Sequence, residues 1–427
     1  MSTPLWDKGK SIDATVQRFC AGDDIVADRQ LFAFDIQATI AHVGGLARIA
    51  VLSAGEAAQL IALLRDLAER SADGRFVLDE RFEDGHTAIE TFLVQEAGDV
   101  GKKVHTARSR NDQVLVALRL WLKHQLKLVV ELTTAAASSL LERARTTGAV
   151  AMPGYTHLQR AMPTTLQAFF LGHVEGFLDS RDASRAALAV VDRNPLGTGA
   201  GFGVSLPLDR DGVTTELGFA DVVVSPQSAQ NSRGKIELFA LQALHLATLD
   251  VRRLAWDFSL FTTAEFAFAR LPDRFTTGSS LMPNKRNPDV VELLRTLPAV
   301  VEGALAETQA VLSLPSSYHR DLQATKAPVL RAFARALQGL ALIPALVDGV
   351  EFDVAALRAA ITPDLFATDR ALALVVEGLP FRDAYRQAAA EIPTFVGCDV
   401  DASLKARVSL GGAGNAGLHL LEQRLKS

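Results

Sequence analysis

Cysteine is nearly absent from this chain. Two occur in 427 residues, Cys20 and Cys398, with no CxxC and no Cys/His spacing of the kind that holds zinc. That excludes a disulfide framework and a zinc site and suits a reducing cytoplasm. No uninterrupted apolar run approaches the roughly 20 residues needed to cross a bilayer. The opening MSTPLWDKGKSID lacks the apolar core of a signal peptide. Neither sign of charge dominates: 44 Lys and Arg stand against 49 Asp and Glu, a net charge of −5, so no general affinity for nucleic acid or an acidic membrane is expected. Strand-like alternation is also scarce. VVVS near residue 222 is the best instance and is too short to found a parallel sheet. The run PLGTGAGFG at 195–203 has the look of a dinucleotide loop, but no buried strand precedes it, no helix start follows, and GK[ST] is missing, which excludes nucleotide binding there.

What is present is helix. At 427 residues the chain exceeds the size of a single core, so two or three domains are expected. Residues 102–147 and 235–271 contain neither glycine nor proline, are rich in alanine, leucine and charge, and repeat apolar residues at helical spacing, as in Val114, Leu118, Trp121 and Leu122. Thirty helical residues in each would span roughly 45 Å, the length of bundle rods. Residues 164–192, 288–313 (with Pro298 expected to kink it) and 322–347 add three more rods. The expectation is a mainly α chain: an N-terminal helical domain at 1–107, a central bundle of five long helices at 108–350, and a small helical domain at 351–427.

Four polar clusters stand at the ends of these rods. In HTARSRNDQV, Ser109 or Asn111 suffices to cap the helix and Asp112 to complement its dipole; alternatively Arg110 and Asn111 grip a carboxylate. In PGYTHLQRAMPTT, His157 follows Thr156 in a loop bracketed by prolines, exposed enough to act as acid or base. GSSLMPNKRNPDVVE, at 278–292, sets hydroxyls and cations ahead of a helix start at Pro288-Asp289. SSYHRDLQATK, at 316–326, is rich in donors. Antiparallel bundling can gather such ends into a pocket of hydroxyls, amides, guanidinium and ammonium groups with one histidine and no metal-binding set, suited to a small polycarboxylate.

These motifs carry a resemblance. GSSLMPNKRNP closely resembles the GSSxMPxKxNP signature of the fumarase/aspartase superfamily, and HTARSRNDQ with PGYTHLQRAMP is similar to its argininosuccinate lyase branch. The likeness runs from WDKGKSIDATVQRF through DRQLFAFDIQATIAH and PFRDAYRQAA to the terminal SLGG. It implies a three-domain lyase fold around the five-helix bundle and a homotetramer whose active sites are each shared between three chains. It further implies a cofactor-independent cleavage of argininosuccinate to arginine and fumarate.

By the same resemblance Ser279 is the base, and Lys285 and Asn287 stabilise the aci-carboxylate that forms when it removes a proton. His157, paired with Glu292, is the matching acid. Asp28, Ser109, Arg110, Asn111, Thr156, Arg233, Tyr318, Gln323 and Lys326 fall at substrate-contact positions. A serine alkoxide is favoured only by neighbouring N–H groups, cations and exclusion of water, which a closing glycine-serine loop would supply. Three departures stand out: Asp24 where a serine is usual, Gly85 within the EDxH motif, and SPQSAQNSRGK around Arg233 where the segment is typically acidic. They leave open another C–N lyase acting on an N-substituted aspartate, and the resemblance itself, whose family includes lens crystallins, leaves open an inert crystallin-like protein on the same fold.

Overall fold

The computed structural model describes residues 14–427, and the WDKGKSID portion of the resemblance lies outside them. Among the described residues the chain is mainly helical, with strands only as three two-stranded pairs. Helix α1 (Ala14–Arg48) runs unbroken for 35 residues. Its Gly44-Gly45 pair does not end it. A Cβ at Gly45 would meet Val213 Cγ2 at 2.9 Å, so the glycine admits a neighbouring element to the helix surface. Helix α2 (Ala54–Ala72) starts on a reciprocal cap between Ser53 and Glu56 and buries Leu60, Leu64 and Leu67 at helical spacing. Helix α3 (Gly85–Ala97) is capped by Asp84. With α1 these two helices enclose a core that includes Phe32, Ile36, Leu60, Leu64 and Phe92.

All five long segments are helical. The first is α4 (Arg110–Thr147), and after strands β1 (Ala151–Thr156) and β2 (Gln159–Thr165) comes α5 (Leu166–Val191). Short helices α6 (Arg210–Glu216) and α7 (Pro226–Asn231) precede α8 (Lys235–Phe261). Helix α8 stops short of Leu271 because the Thr263 hydroxyl takes the Phe266 N–H and Ala267 turns into the left-handed region at φ +48°. The fourth segment divides into α9 (Asp289–Leu294) and α10 (Leu297–Val311), with the break just ahead of Pro298, which has no N–H for an interior turn. The fifth is α11 (Lys326–Gly349). By mean hydropathy the stretch Arg320–Gly349 is long and apolar enough to cross a membrane, although half of its apolar window is buried inside the protein, as in a core helix. VVVS contributes only a two-residue parallel pairing of Asp221–Val222 with Arg193–Asn194.

Two compact units result. One comprises Met1–Leu128, Ala183–His245 and Ala299–Arg335, the other Val129–Asp182, Leu246–Pro298 and Ala336–Ser427, so α4, α5, α8, α10 and α11 each contribute to both. In the first unit Trp121 meets Phe333 edge to face at 5.4 Å. A second core there joins Ala38, Val116, Leu196 and Val213. In the second unit Phe169 packs on Phe170, His173 and Phe261. Beyond α12 (Val354–Ala359), helices α13 (Ala367–Val376) and α14 (Phe381–Glu391) pair over Ala371, Leu374, Ala384 and Ala388.

Candidate active site

In the first unit, the starts of α3, α4 and α11 and two turns of α1 surround a cavity of 430 Å³. Asp24 and Asp28 lie one turn apart on α1 and share a single cation: Lys326 Nζ is 2.5 Å from Asp24 Oδ1 and 2.7 Å from Asp28 Oδ1. The second Asp28 oxygen accepts the Gly85 N–H at 2.9 Å. A side chain at 85 would crowd Phe32, 3.3 Å from the Cβ position, so the glycine in EDGH lets the α3 start close on α1. Burial raises the Asp24 carboxyl above its ordinary range, and the neighbouring Asp28 adds to this against the pull of Lys326. Burial opposes charge on Lys326, yet the two carboxylates outweigh it and the ammonium is held above its ordinary value.

Arg110, the first residue of α4, is already engaged. It donates to Glu83 Oε2 at 3.0 Å and Thr87 Oγ1 at 2.5 Å, and Asp84 lies 3.5 Å away. Asn111 and Gln323 also line the cavity, and Gln323 Nε2 donates to the Cys20 carbonyl at 2.9 Å. The Arg233 guanidinium lies 5.6 Å from the centre of the Tyr318 ring. His86 completes the wall, its Nδ1 2.5 Å from Asp35. Burial works against its charge, but Asp35 prevails and raises the imidazole. The cavity joins acids to the donors expected: Asp24, Asp28, Glu83 and Asp84 face Arg110, Arg233, Arg320 and Lys326. Both signs of charge are present in equal number. The sequence offers Glu83, Asp84 and His86 only as parts of the EDxH motif and Arg320 only within SSYHRDLQATK, with no role for any of them.

Ser109 lies outside that lining. Its hydroxyl accepts the Asn111 N–H at 3.2 Å while its own N–H donates to Asp112, so it caps α4. The PLGTGAGFG loop binds an internal anion: the Gly197 and Gly199 N–H groups donate to Asp112 Oδ2 at 3.1 and 2.8 Å.

The remaining residues belong to the second unit. His157 sits between the prolines as the sequence suggests, at the tip of the β1–β2 hairpin, where Pro153 and Pro163 face one another across the pair. His157 and Leu158 both have φ +55°, the paired left-handed geometry of a tight two-residue turn normally filled by Asn-Gly. The turn exposes the imidazole, next to the exposed Thr156, above a cavity of 560 Å³ that includes Tyr155, His173 and Phe266.

The GSS segment is a loop pinned at its base, where Thr277 and Asn287 exchange two backbone hydrogen bonds at 3.0 and 2.8 Å. Asn287 Nδ2 also donates to the Gly278 carbonyl at 3.3 Å. Within the loop the Ser279 hydroxyl oxygen accepts two N–H groups, from Leu281 at 3.3 Å and Met282 at 3.0 Å. Ser280 is exposed and Ser279 half-buried. Lys285 is exposed, and Glu292 bonds Arg295 at 3.4 Å. Within a single chain no hydrogen bond among the described residues joins His157 to Glu292. Nor do the described residues include a cluster of three His, Cys, Asp or Glu side chains set to hold a metal ion.

Known proteins share this chain's sequence and fold. Residues 18–303 match the family described as lyase. An argininosuccinate lyase from Sorangium cellulosum (strain So ce56) is 54% identical over 100% of this chain and 99% of its own. One from Stenotrophomonas maltophilia (strain K279a) is 50% identical over 99% of each. Among solved structures, an EDDS lyase in complex with formate superposes with a TM-score of 0.75 at 24% identity, covering 97% of this chain and 84% of the other. A class II fumarase from Schistosoma mansoni gives 0.76 at 13% identity, covering 99% and 95%.

Proposed function

The chain belongs to the lyase family, in the argininosuccinate lyase branch of the fumarase/aspartase superfamily, and from this we propose that it cleaves argininosuccinate to arginine and fumarate. The enzyme is a carbon–nitrogen lyase working by β-elimination. Ser279 takes the proton from the carbon beside a substrate carboxylate, and the electron pair passes into that carboxylate as the aci form. It then returns to make the C=C bond as the C–N bond breaks and the nitrogen receives a proton. The observation that carries this reading is the pair of N–H groups on Ser279 Oγ. Donors aimed at an oxygen favour its anion, which is what a serine needs to act on a carbon acid.

Lys285 and Asn287, on the same loop, stand by to hold the second charge of the aci-carboxylate. His157 is the proton donor to the leaving nitrogen, and Glu292 of another copy orients it. Arg110 and Asn111 clamp a carboxylate, assisted by Ser109 and Thr156. The mixed-sign cavity suits a substrate that carries three carboxylates, an ammonium and a guanidinium-derived group. Asp28, Arg233, Tyr318, Gln323 and Lys326 receive its amino-acid end. Copies of the chain complete one another in a cytoplasmic homotetramer with sites shared between three chains, and exposed Leu246 and Trp256 on α8 are surfaces for that contact.

The test is fumarate release, followed by ultraviolet absorbance, from argininosuccinate, adenylosuccinate and other aspartate adducts. Argininosuccinate should be turned over with a kcat/KM at least about tenfold above any other adduct. Preference for a different adduct would reassign the substrate. No release from any of them would overturn the lyase activity.

A further inference from the structure

Arg110 and Asn111 are the first two residues of α4, and a first helical turn has no preceding turn to hold it. The Ser109 hydroxyl takes the Asn111 N–H, and the turn as a whole is anchored by Asp112, which is completely buried. Its Oδ1 accepts the Ser109 N–H at 2.9 Å, closing the cap on its own helix. Its Oδ2 accepts the Gly197 and Gly199 N–H groups from a loop 85 and 87 residues away. Those N–H groups converge because Gly197 (φ +87°) and Gly199 (φ +59°) take left-handed backbone that other residues adopt only with strain. On its far side the same loop abuts the segment that carries Arg233. A Cβ at Gly201 would stand 2.9 Å from Gln230 Cγ, and the Gln230 carbonyl accepts the Arg233 N–H at 3.2 Å.

We propose that Asp112 is a positioning residue for the substrate cavity: its carboxylate, gripped by the glycine loop, fixes the first turn of α4 and thereby the placement of Arg110 and Asn111. The inference rests on the reading of that pair as the substrate carboxylate clamp. It also gives PLGTGAGFG a role, as a nest for an internal carboxylate in place of a phosphate. All three of the N–H groups that Asp112 receives need an acceptor oxygen. An asparagine offers only one, so Asp112→Asn sets an amide N–H against either Ser109 or the Gly197/Gly199 pair while leaving the volume unchanged.

A double-mutant cycle on the full chain tests this, with Asp112→Asn, Arg110→Ala and the double variant compared for kcat and KM on argininosuccinate. Asp112→Asn should lower kcat/KM by about 10- to 100-fold, the range for unmatched buried hydrogen-bonding groups. In the Arg110→Ala background the same change should cost less than about threefold, because its effect passes through Arg110. Losses that multiply would overturn the proposal, as would a variant of reduced stability and unaltered kcat/KM. Gly199→Ala, whose Cβ would press on Val204 Cγ1 at 3.1 Å, perturbs the grip without altering Asp112 and should behave alike in the same cycle, which decides the matter if Asp112→Asn does not fold. Amide hydrogen exchange separates this inference from the reaction assignment. Ser109, Gly197 and Gly199 should exchange faster in Asp112→Asn even if the unmutated protein releases no fumarate, and unchanged protection would refute the grip.

Discussion

Lys326→Met removes one cation from between two carboxylates on the wall of the cavity, where the lysine and Asp28 are buried. Lys326 is 2% exposed and Asp28 4%. Methionine nearly matches the length of the lysine stem, so the change tests charge more than packing. Breaking a buried pair from one side costs roughly 3–5 kcal/mol because the remaining charge is left without its partner. Here two remain, Asp24 and Asp28, and burial already raises the Asp24 carboxyl with the lysine in place. At pH 7.5 the loss should be about 3–5 kcal/mol, which for a urea slope near 3 kcal/mol/M moves the unfolding midpoint by about 1–1.7 M.

The pH dependence gives the mechanism away. Without Lys326 burial holds the Asp24 carboxyl still further above its ordinary value, so the native state keeps a proton that the unfolded chain has released, and stability is lost as pH rises through that value. The deficit should therefore shrink between pH 7.5 and pH 5. Adding Asp24→Asn to Lys326→Met should restore part of it. An unchanged midpoint at pH 7.5, or a deficit independent of pH, would show that the triad is not desolvated as its geometry implies.

For the loop serines, Ser279→Ala should lower turnover by at least about 100-fold, the lower end of general-base contributions, while Ser280→Ala, lacking the two N–H contacts, should cost markedly less. Equal turnover in both folded variants would remove Ser279 as the base. Burial and the nearby Arg108 guanidinium hold the His105 imidazole down at about 4, against an ordinary 6.5. The unfolded chain therefore takes up that proton first as pH falls: the stability contributed is complete above pH 6.5 and is lost as pH drops toward 4. His105→Asn should flatten a plot of urea midpoint against pH across that interval, and an equally steep plot would exclude the assignment. His42, also held well below its ordinary value by burial, leaves a residual slope.

The long rods were legible because helical periodicity uninterrupted by glycine or proline is a local property. What ended them was less so: α8 stops at Thr262–Thr263 through side-chain bonds to its own backbone, with no helix-breaking residue to announce it. The length of α1 was hidden because the role of Gly45 depends on Val213, more than 160 residues away. The hairpin at His157 was hidden too, since neither residue of its turn is a glycine or asparagine. In the cavity Arg110, Arg233, Lys326, Asn111 and Gln323 were legible from their motifs; Arg320 was not. Asp28 was found with them and Asp24 stood out as a departure, but Glu83 and Asp84 were not found, because they acquire their meaning only when the fold sets them against Arg110 and Arg320.

The turn at His157 and Leu158 sets heat resistance and chemistry against each other. Left-handed backbone costs an ordinary L-residue about 1 kcal/mol or more, and Asn-Gly would relieve that cost at both positions. A chain bred only for thermal endurance would drift toward that pair and discard the imidazole. Histidine here is thus the kind of letter a consensus-stabilised library edits out first, and among such descendants melting temperature and catalytic rate would part company at residue 157.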